Sequence, residues 1–206
     1  MTSRTTRTRG LRRTSFVAAG LVAVTAAVSP SSAASASPGP DPVPQLDLGR
    51  YAGTWHQLAA VPQVFNLSCA RDTMAEYRLD ERGDVAVHNS CVTWTGELNE
   101  IDGTATVNDR QTGAQLHVSF PGVPGQDLRN GPTNYIVTAL GPDYSWALVT
   151  DPTRASGFVL SRTVALDPDT WNHVRAAITG VGQSPCRYLT SPTTGGLSDI
   201  APLCTR

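Results

Sequence analysis

The sequence predicts an all-β fold, an eight-stranded antiparallel up-and-down barrel with one C-terminal α-helix packed outside. Short segments of alternating apolar and polar residues follow one another between turns rich in Gly, Pro and Asp. A single helical segment comes after them, and strands followed by one helix are typical of a barrel, whose closure removes exposed strand edges. Eight or nine strands are predicted, at 55–61, 72–79, 84–91, 94–100, 103–109, 115–120, 134–140, 144–150 and 157–163.

The first 36 residues are expected to be a signal peptide that lies outside the fold. Residues 1–13 hold five arginines and no acid, an apolar run extends over 16–28, and 34–36 reads Ala-Ser-Ala, which suits a cleavage site. The run is too short to span a bilayer. Arg12-Arg13 is compatible with twin-arginine export, and Sec export is the alternative. No cysteine near the cleavage site offers a lipid attachment point, so we expect a secreted protein without a stable membrane anchor.

The charge of the chain changes once this leader is removed. Eleven arginines then face 17 acidic residues, a formal charge of −6, and the chain has no lysine. The balance, without any basic cluster, argues against nucleic-acid binding. Residues 37–45 form a proline-rich spacer that is expected to be extended or disordered. Residues 46–190 are predicted to form the barrel and helix, and 191–206 a disulfide-tethered tail.

The four cysteines are predicted to form two disulfides, because an even number in an exported chain favours pairing. Residues 72–79 and 84–89 alternate around a turn at 80–83, which indicates a β-hairpin. Cys69 precedes the first strand and Cys91 follows the second, so the hairpin brings them together. Cys69–Cys91 and Cys186–Cys204 are therefore favoured, while a bond between one barrel and one tail cysteine remains the alternative.

The predicted helix has a signal at each end. Asp167 suits the N-cap, Pro168 the first turn and Gly180 the C-terminal end. Apolar residues on one face predict packing against the outside of a sheet, and they are Trp171, Val174 and Ile178.

A glycine and a tryptophan, Gly53 and Trp55, open the first strand, as suits a chain that enters under the closed end of a barrel. They begin a series of motifs that resembles the lipocalins, in the branch of bacterial outer-membrane lipocalins, plant temperature-induced lipocalins and apolipoprotein D. The resemblance covers about residues 46–190. Its motifs lie at 48–55, 75–79, 85–89, 135–140, 144–149 and 158–163.

The resemblance implies which end of the barrel is closed. In lipocalins the glycine and tryptophan lie there, and an arginine late in the last strand packs over the indole. Arg162 would be that arginine, and such a cation–π contact is worth about 0.5–2 kcal/mol. The resemblance also implies that the middle motif of the family falls at 150–154, at the same end.

The interior of an eight-stranded barrel has room for side chains or for one small ligand. Alternation along the strands predicts an apolar, aromatic interior with tyrosine hydroxyls, which suits a fatty acid or another lipid-like molecule. A barrel filled by its own side chains is the alternative. The predicted ligand-binding residues are Ala75, Tyr77, Leu79, Val85, Val87, Leu116, Val118, Phe120, Tyr135 and Val137.

The loop at 61–67 follows the first strand and is therefore expected at the open end. Its apolar residues Val64, Phe65 and Leu67 either form a lip that contacts ligand or membrane, or fold inward over the mouth.

We predict no catalytic residue, metal site or cofactor. His56, His88, His117 and His173 lack metal-ligating spacing, and no G-x-S-x-G motif is present. Disulfide pairing of every cysteine also disfavours thiol-based chemistry. The favoured function is a secreted carrier of a small hydrophobic molecule. A secreted protein-binding barrel, such as a protease inhibitor, is the alternative, and a lipocalin-type enzyme acting on a lipid-like substrate is less favoured.

Overall fold

The computed structural model describes residues 1–2 and 39–206. The predicted signal peptide therefore lies outside the described residues, apart from its first two, and remains a prediction. The elements, in chain order, are α1 (Leu48–Tyr51), β1 (Gly53–Ala60), β2 (Cys69–Leu79), β3 (Val85–Thr93), β4 (Leu98–Val107), β5 (Gln115–Ser119), β6 (Tyr135–Leu140), β7 (Trp146–Thr150), β8 (Gly157–Ser161), α2 (Pro168–Gly180) and β9 (Leu189–Thr190).

Strand pairing confirms the predicted barrel. Strands β1 to β8 pair in sequence order, each antiparallel to the next, and β1 also pairs with β8, which closes the sheet. The short strand β9 adds to the free edge of β1, and α2 packs outside. Within the described residues, no helix combines the length and the apolar composition that a membrane crossing requires.

Two predicted segments differ from the structure. Residues 94–100 and 103–109 were expected to form two strands, but β4 is one continuous strand and the preceding turn lies at 94–97. Gly103 sits inside β4, where a Cβ would come within 2.5 Å of both the Phe120 ring and the Ser119 carbonyl oxygen. This glycine therefore permits close approach of the chain and does not end a strand.

The described part of the proline-rich spacer lies against the barrel. Residues 39–45 form neither helix nor strand, but Val43 N donates to Val137 O at 2.8 Å, and Leu46 N donates to Thr112 O at 2.7 Å. The segment that precedes α1 is thus hydrogen-bonded to the barrel at two points.

The closed end is built as the resemblance implies. Trp55 is fully buried, and Arg162 Cζ lies 3.6 Å from the centre of its ring. The guanidinium also donates to Thr54 O at 2.8 Å and to the carbonyl oxygens of residues 50–52 at 2.7–3.2 Å. The entry to β1 and the chain just after β8 are therefore joined at this end.

The middle motif lies elsewhere than expected. Thr150 pairs with Gly157, far along β7 and β8 from the Trp146–Ser161 pair at the closed end. Residues 150–154 consequently lie at the open end, and the expectation that they share the closed end is wrong. The closed-end turn is at 141–145, where the Arg50 guanidinium lies 4.4 Å from the centre of the Tyr144 ring.

Helix α2 begins and ends where the sequence predicts. Asp167 caps it by accepting from Thr170 N at 2.9 Å. The predicted face, Trp171, Val174 and Ile178, is buried in a cluster with Leu58, Leu148 and Val159 from the outer faces of β1, β7 and β8.

The tail completes the barrel wall between β1 and β2, which pair directly only over residues 53–56 of β1. β9 pairs with Ala59 and Ala60, and Asp72 N donates to Pro192 O at 2.9 Å. The Asp72 carboxylate accepts from Thr194 N at 2.6 Å and from Thr194 Oγ1 at 2.8 Å. Both predicted disulfides, Cys69–Cys91 and Cys186–Cys204, are present.

Replacement of Trp55 by alanine should lower the free energy of unfolding by about 3–5 kcal/mol, since it empties a buried aromatic site. Trp94→Ala is the matched control, because Trp94 is exposed. Denaturant titration measures both, and an equal small loss in the two variants would contradict the role assigned to Trp55.

Acid should loosen the tail through Asp72. Burial alone would raise the pKa of this carboxyl, but the hydrogen bonds from Thr194 and the Arg71 charge outweigh it and lower the pKa below its ordinary 3.8. A lowered folded-state pKa gives stability that is present above about pH 4 and is lost as the pH falls through the lowered value.

Asp72→Asn should reproduce part of this effect at pH 6, because a neutral amide accepts hydrogen bonds more weakly than a carboxylate. We expect the hydrogen-exchange protection factor of the Thr194 amide to fall roughly fivefold. Asp143→Asn is the control, because Asp143 is also an aspartate with positive φ but is exposed at the closed end. Unchanged Thr194 protection would show that Asp72 does not hold the tail.

Candidate functional site

The barrel interior contains one buried cluster, which includes most of the predicted ligand-binding residues. Six of them belong to the buried set, namely Ala75, Tyr77, Val85, Val87, Leu116 and Val137. Three others are partly buried and pack against it, namely Val118, Phe120 and Tyr135.

Leu79 does not share this enclosure. Its residue surface is 46% exposed and it is absent from the buried cluster, so the expectation that it lines the interior is wrong. Leu79 is the last residue of β2, beside the hairpin turn at the closed end, where neighbouring strands no longer surround the side chain.

Three tyrosines meet in the interior. Tyr135 Oη lies 2.7 Å from Tyr51 Oη and 3.2 Å from Tyr77 Oη. The rings of Tyr51 and Tyr77 stack with centres 5.6 Å apart, and Tyr51 also lies 5.0 Å from the Trp55 ring. We call Tyr51, Tyr77 and Tyr135 the tyrosine cluster. It fills the barrel above Trp55 and leaves its hydroxyls bonded to one another.

Burial keeps these hydroxyls neutral. Removal from water raises the pKa of Tyr77 to about 12, and it raises the pKa values of Tyr51 and Tyr135 well above 10. The hydroxyls of the tyrosine cluster therefore stay neutral even at a pH at which an exposed tyrosine ionises.

Accessible interior surface lies toward the open end. Trp55, Val137 and Ala147 are almost fully buried, whereas the inward-facing Val118, Phe120 and Phe158 keep partial solvent access. Asn89 pairs with Ala75 of the buried cluster, and among the described residues its Oδ1 has no hydrogen-bond partner. The inward-facing wall between the tyrosine cluster and the open end is therefore mainly apolar.

The mouth combines both expected arrangements of the loop at 61–67. Phe65 stacks on Phe158, with ring centres 6.3 Å apart, and so partly covers the interior. Val64 and Leu67 are exposed, as is Trp94, whose Nε1 donates to Leu67 O at 2.8 Å. Exposed apolar residues therefore lie at one side of an opening that Phe65 partly covers.

A second space, the seam cavity, lies where β1, the tail and the start of β2 meet. Its volume is about 150 Å³. It is lined by Gln57, Ala60, Pro62, Asn66, Leu67, Cys69, Ala70, Arg71, Thr73, Trp94, Leu189, Thr190, Ser191, Pro192 and Ile200. Sequence reasoning missed this cavity, because the tail is more than 100 residues away along the chain.

Two of the histidines, His88 and His117, have hydrogen-bond partners. His88 lies between Asp102, at 2.8 Å from Nδ1, and Glu100, at 3.2 Å from Nε2. His117 contacts the carbonyl oxygens of Leu128 and Pro132. Among the residues described, no group of three or more His, Cys, Asp or Glu side chains is placed to hold a metal ion.

The chain is thus a closed antiparallel barrel with a mainly apolar interior and one outer helix. A family model for a lipocalin-like domain matches residues 46–192, and the chain belongs to the lipocalin family. Lipocalins generally bind small hydrophobic ligands.

The similar proteins include the branches named from the motifs. The chain is 32% identical to temperature-induced lipocalin-1 of Arabidopsis thaliana over 131 residues, 63% of this chain and 69% of that protein. It is 28% identical to bovine apolipoprotein D over 147 residues, 69% and 74% of the two chains. It is 31% identical to outer membrane lipoprotein Blc of Vibrio cholerae over 128 residues, 61% and 70% of the two.

Solved structures show the same fold at lower identity. Insecticyanin from the tobacco hornworm Manduca sexta superposes with a TM-score of 0.57 at 21% identity, covering 80% of this chain and 96% of that one. Apocrustacyanin C2 gives a TM-score of 0.54 at 16% identity, covering 75% and 90%.

Tyr135→Phe should lower the free energy of unfolding by about 1–3 kcal/mol at pH 7, because it leaves two buried hydroxyls without their shared partner. Tyr144→Phe, outside the cluster, should cost less stability.

The raised folded-state pKa values also predict a pH dependence. The stability that these hydroxyls contribute below about pH 10 should be lost as the pH rises toward the value of about 12 for Tyr77. Denaturant titrations between pH 7 and pH 12 measure both effects, and equal losses in the two variants would contradict the shared-hydroxyl arrangement.

Proposed function

We propose that the protein is exported and carries one small hydrophobic ligand, such as a fatty acid or another lipid-like molecule, in the barrel interior between the tyrosine cluster and the open end. The observation that carries this proposal is the partial solvent access of the inward-facing Val118, Phe120 and Phe158 at the open end, opposite the fully buried Trp55. Membership of a family that generally binds such ligands supports it.

Export is supported by two disulfides, since such bonds persist in oxidising compartments. The predicted leader points the same way.

The energetics favour moderate affinity. Burial of a chain of about 16 carbons at ~0.8 kcal/mol per methylene contributes at most ~13 kcal/mol. Association and ordering oppose this with about 4–15 kcal/mol, so micromolar binding is expected. Because the cluster hydroxyls bond to one another, the affinity should come mainly from burial of the apolar chain.

A protein-binding role is the second candidate, favoured by the exposed Val64, Leu67 and Trp94 at the open end. Native mass spectrometry of the freshly purified protein distinguishes it, because a carrier should retain a small molecule. A thiol-dependent enzyme would first require reduction of a disulfide, since all four cysteines are paired.

Val118→Trp tests the carrier function by filling the interior. The larger ring should block ligand entry and cost about 1–3 kcal/mol of stability by overpacking. Displacement of a fluorescent fatty acid by palmitate measures binding. Ala86→Trp is the matched control, because Ala86 is exposed on the outer face of β3.

We expect the control to bind the fluorescent fatty acid as the unmodified protein does, and Val118→Trp to bind it at least tenfold more weakly. Equal binding by both variants, or no binding by the unmodified protein, would overturn the proposal.

A further inference from the structure

The seam cavity has walls that are held in place independently of any ligand. On the tail side, Ser191 N donates to Leu58 O at 2.9 Å, and Pro192 O accepts from Asp72 N at 2.9 Å. The Cys186–Cys204 bond closes the segment that contains this wall. On the other side, the Cys69–Cys91 bond joins the start of β2 to β3. A preorganised space of this kind loses little entropy when a ligand enters.

Two deeply buried polar side chains face each other in its lining. Gln57 and Ser191 are 7% and 9% exposed, and Gln57 Nε2 donates to Ser191 Oγ at 2.9 Å. Among the described residues, neither Gln57 Oε1 nor the Ser191 hydroxyl hydrogen has a further partner. Gln57 Oε1 is not one of the buried polar atoms that lack both a partner and contact with solvent. It therefore remains accessible.

The chemistry of this pair does not depend on how the amide is oriented. If Nε2 donates to the serine, the amide oxygen and the hydroxyl hydrogen are left free. If the amide is turned, its oxygen accepts from the serine, and the NH₂ group and a serine lone pair are left free. Either arrangement offers one donor and one acceptor. A single hydroxyl group of a ligand can bind both, because it accepts from the donor and donates to the acceptor.

The rest of the lining is mainly apolar and carries little charge. Leu67, Trp94 and Ile200 are exposed at its edge, where a ligand can enter from solvent. Among the described residues that line the cavity, Arg71 alone is charged. Its guanidinium is half-exposed and bonded to Asp72 at 2.6 Å. The volume of about 150 Å³ equals that of cavities that hold one benzene ring.

We propose that the seam cavity is a second binding site, separate from the barrel interior, for a small neutral molecule with an apolar body of about one ring and one hydroxyl group. Gln57 and Ser191 bind the hydroxyl, and the apolar edge contacts the ring. The ligand is either a free alcohol or phenol, or the hydroxyl-bearing end of a longer molecule held in the barrel.

Matched fluorinated probes test this site. 4-Fluorophenol and fluorobenzene have the same ring, but only the first has a hydroxyl. We expect 4-fluorophenol to bind the unmodified protein roughly tenfold more tightly, as two modest hydrogen bonds predict. Titration by ¹⁹F NMR gives the affinities, and ¹⁵N spectra should show shifts at the Trp94 indole and the Gln57 side-chain amide.

The double variant Gln57→Met, Ser191→Ala removes both polar partners together, so no buried group is left unpaired and the fold should persist. Its folding is checked by Thr194 amide protection. We expect it to bind the two probes with equal affinity. A retained preference for 4-fluorophenol in this variant, or equal affinities in the unmodified protein, would overturn the proposal.

Val118→Trp distinguishes the seam site from the carrier site in the barrel interior. It also distinguishes a free small ligand from the end of a longer molecule held in the barrel. Unchanged 4-fluorophenol binding in this variant would support a site independent of the barrel interior, whereas its loss would place the probe in the barrel and overturn the inference. Palmitate that competes with 4-fluorophenol only in the unmodified protein would indicate a long ligand reaching from the barrel. Failure of fatty-acid binding with an intact 4-fluorophenol preference would overturn the carrier function alone.

Discussion

The contact between Arg162 and Trp55 is the interaction on which the rest of the barrel depends. The guanidinium covers the indole at 3.6 Å and bonds to four backbone carbonyl groups of residues 50–54. Several of these carbonyls belong to the short helix α1 and its end, where carbonyl groups lack intrahelical partners. One side chain thereby hydrogen-bonds the carbonyl groups of the segment that leads into β1, covers the buried indole ring and joins β8 to β1.

The two ends of the barrel differ in how β1 pairs with its neighbours. β1 is held between β2 and β8 near Trp55, but beyond His56 it no longer pairs with β2. Asp72, with a φ of 53°, interrupts the β2 ladder at that level. The tail occupies the resulting gap and bonds to both strands. The open end therefore depends on disulfides and tail hydrogen bonds for its order, whereas the closed end depends on aromatic packing.

Local signals made much of this predictable from the sequence. The Asp167 cap and Pro168 define helix α2 within a few residues, and a hairpin explains why Cys69 meets Cys91. Contacts between distant residues were not predictable in this way. Tyr51 precedes the first strand and meets Tyr135 from 84 positions away, so strand alternation gives no reason to place it in the interior. Leu79 alternates correctly, but alternation does not show where a barrel stops enclosing its side chains.

The barrel interior and the seam cavity differ in the polar groups that they offer. In the barrel, the hydroxyls of the tyrosine cluster are bonded to one another. The proposed ligand would therefore gain little by replacing those bonds and would be selected chiefly by its shape and apolar area. In the seam cavity, Gln57 and Ser191 are bonded to each other but each retains unused capacity. A buried polar group that is only partly satisfied penalises an apolar occupant and rewards a complementary one. Under the two proposals, hydrogen bonding to the wall that the tail supplies selects the seam ligand, and size selects the barrel ligand.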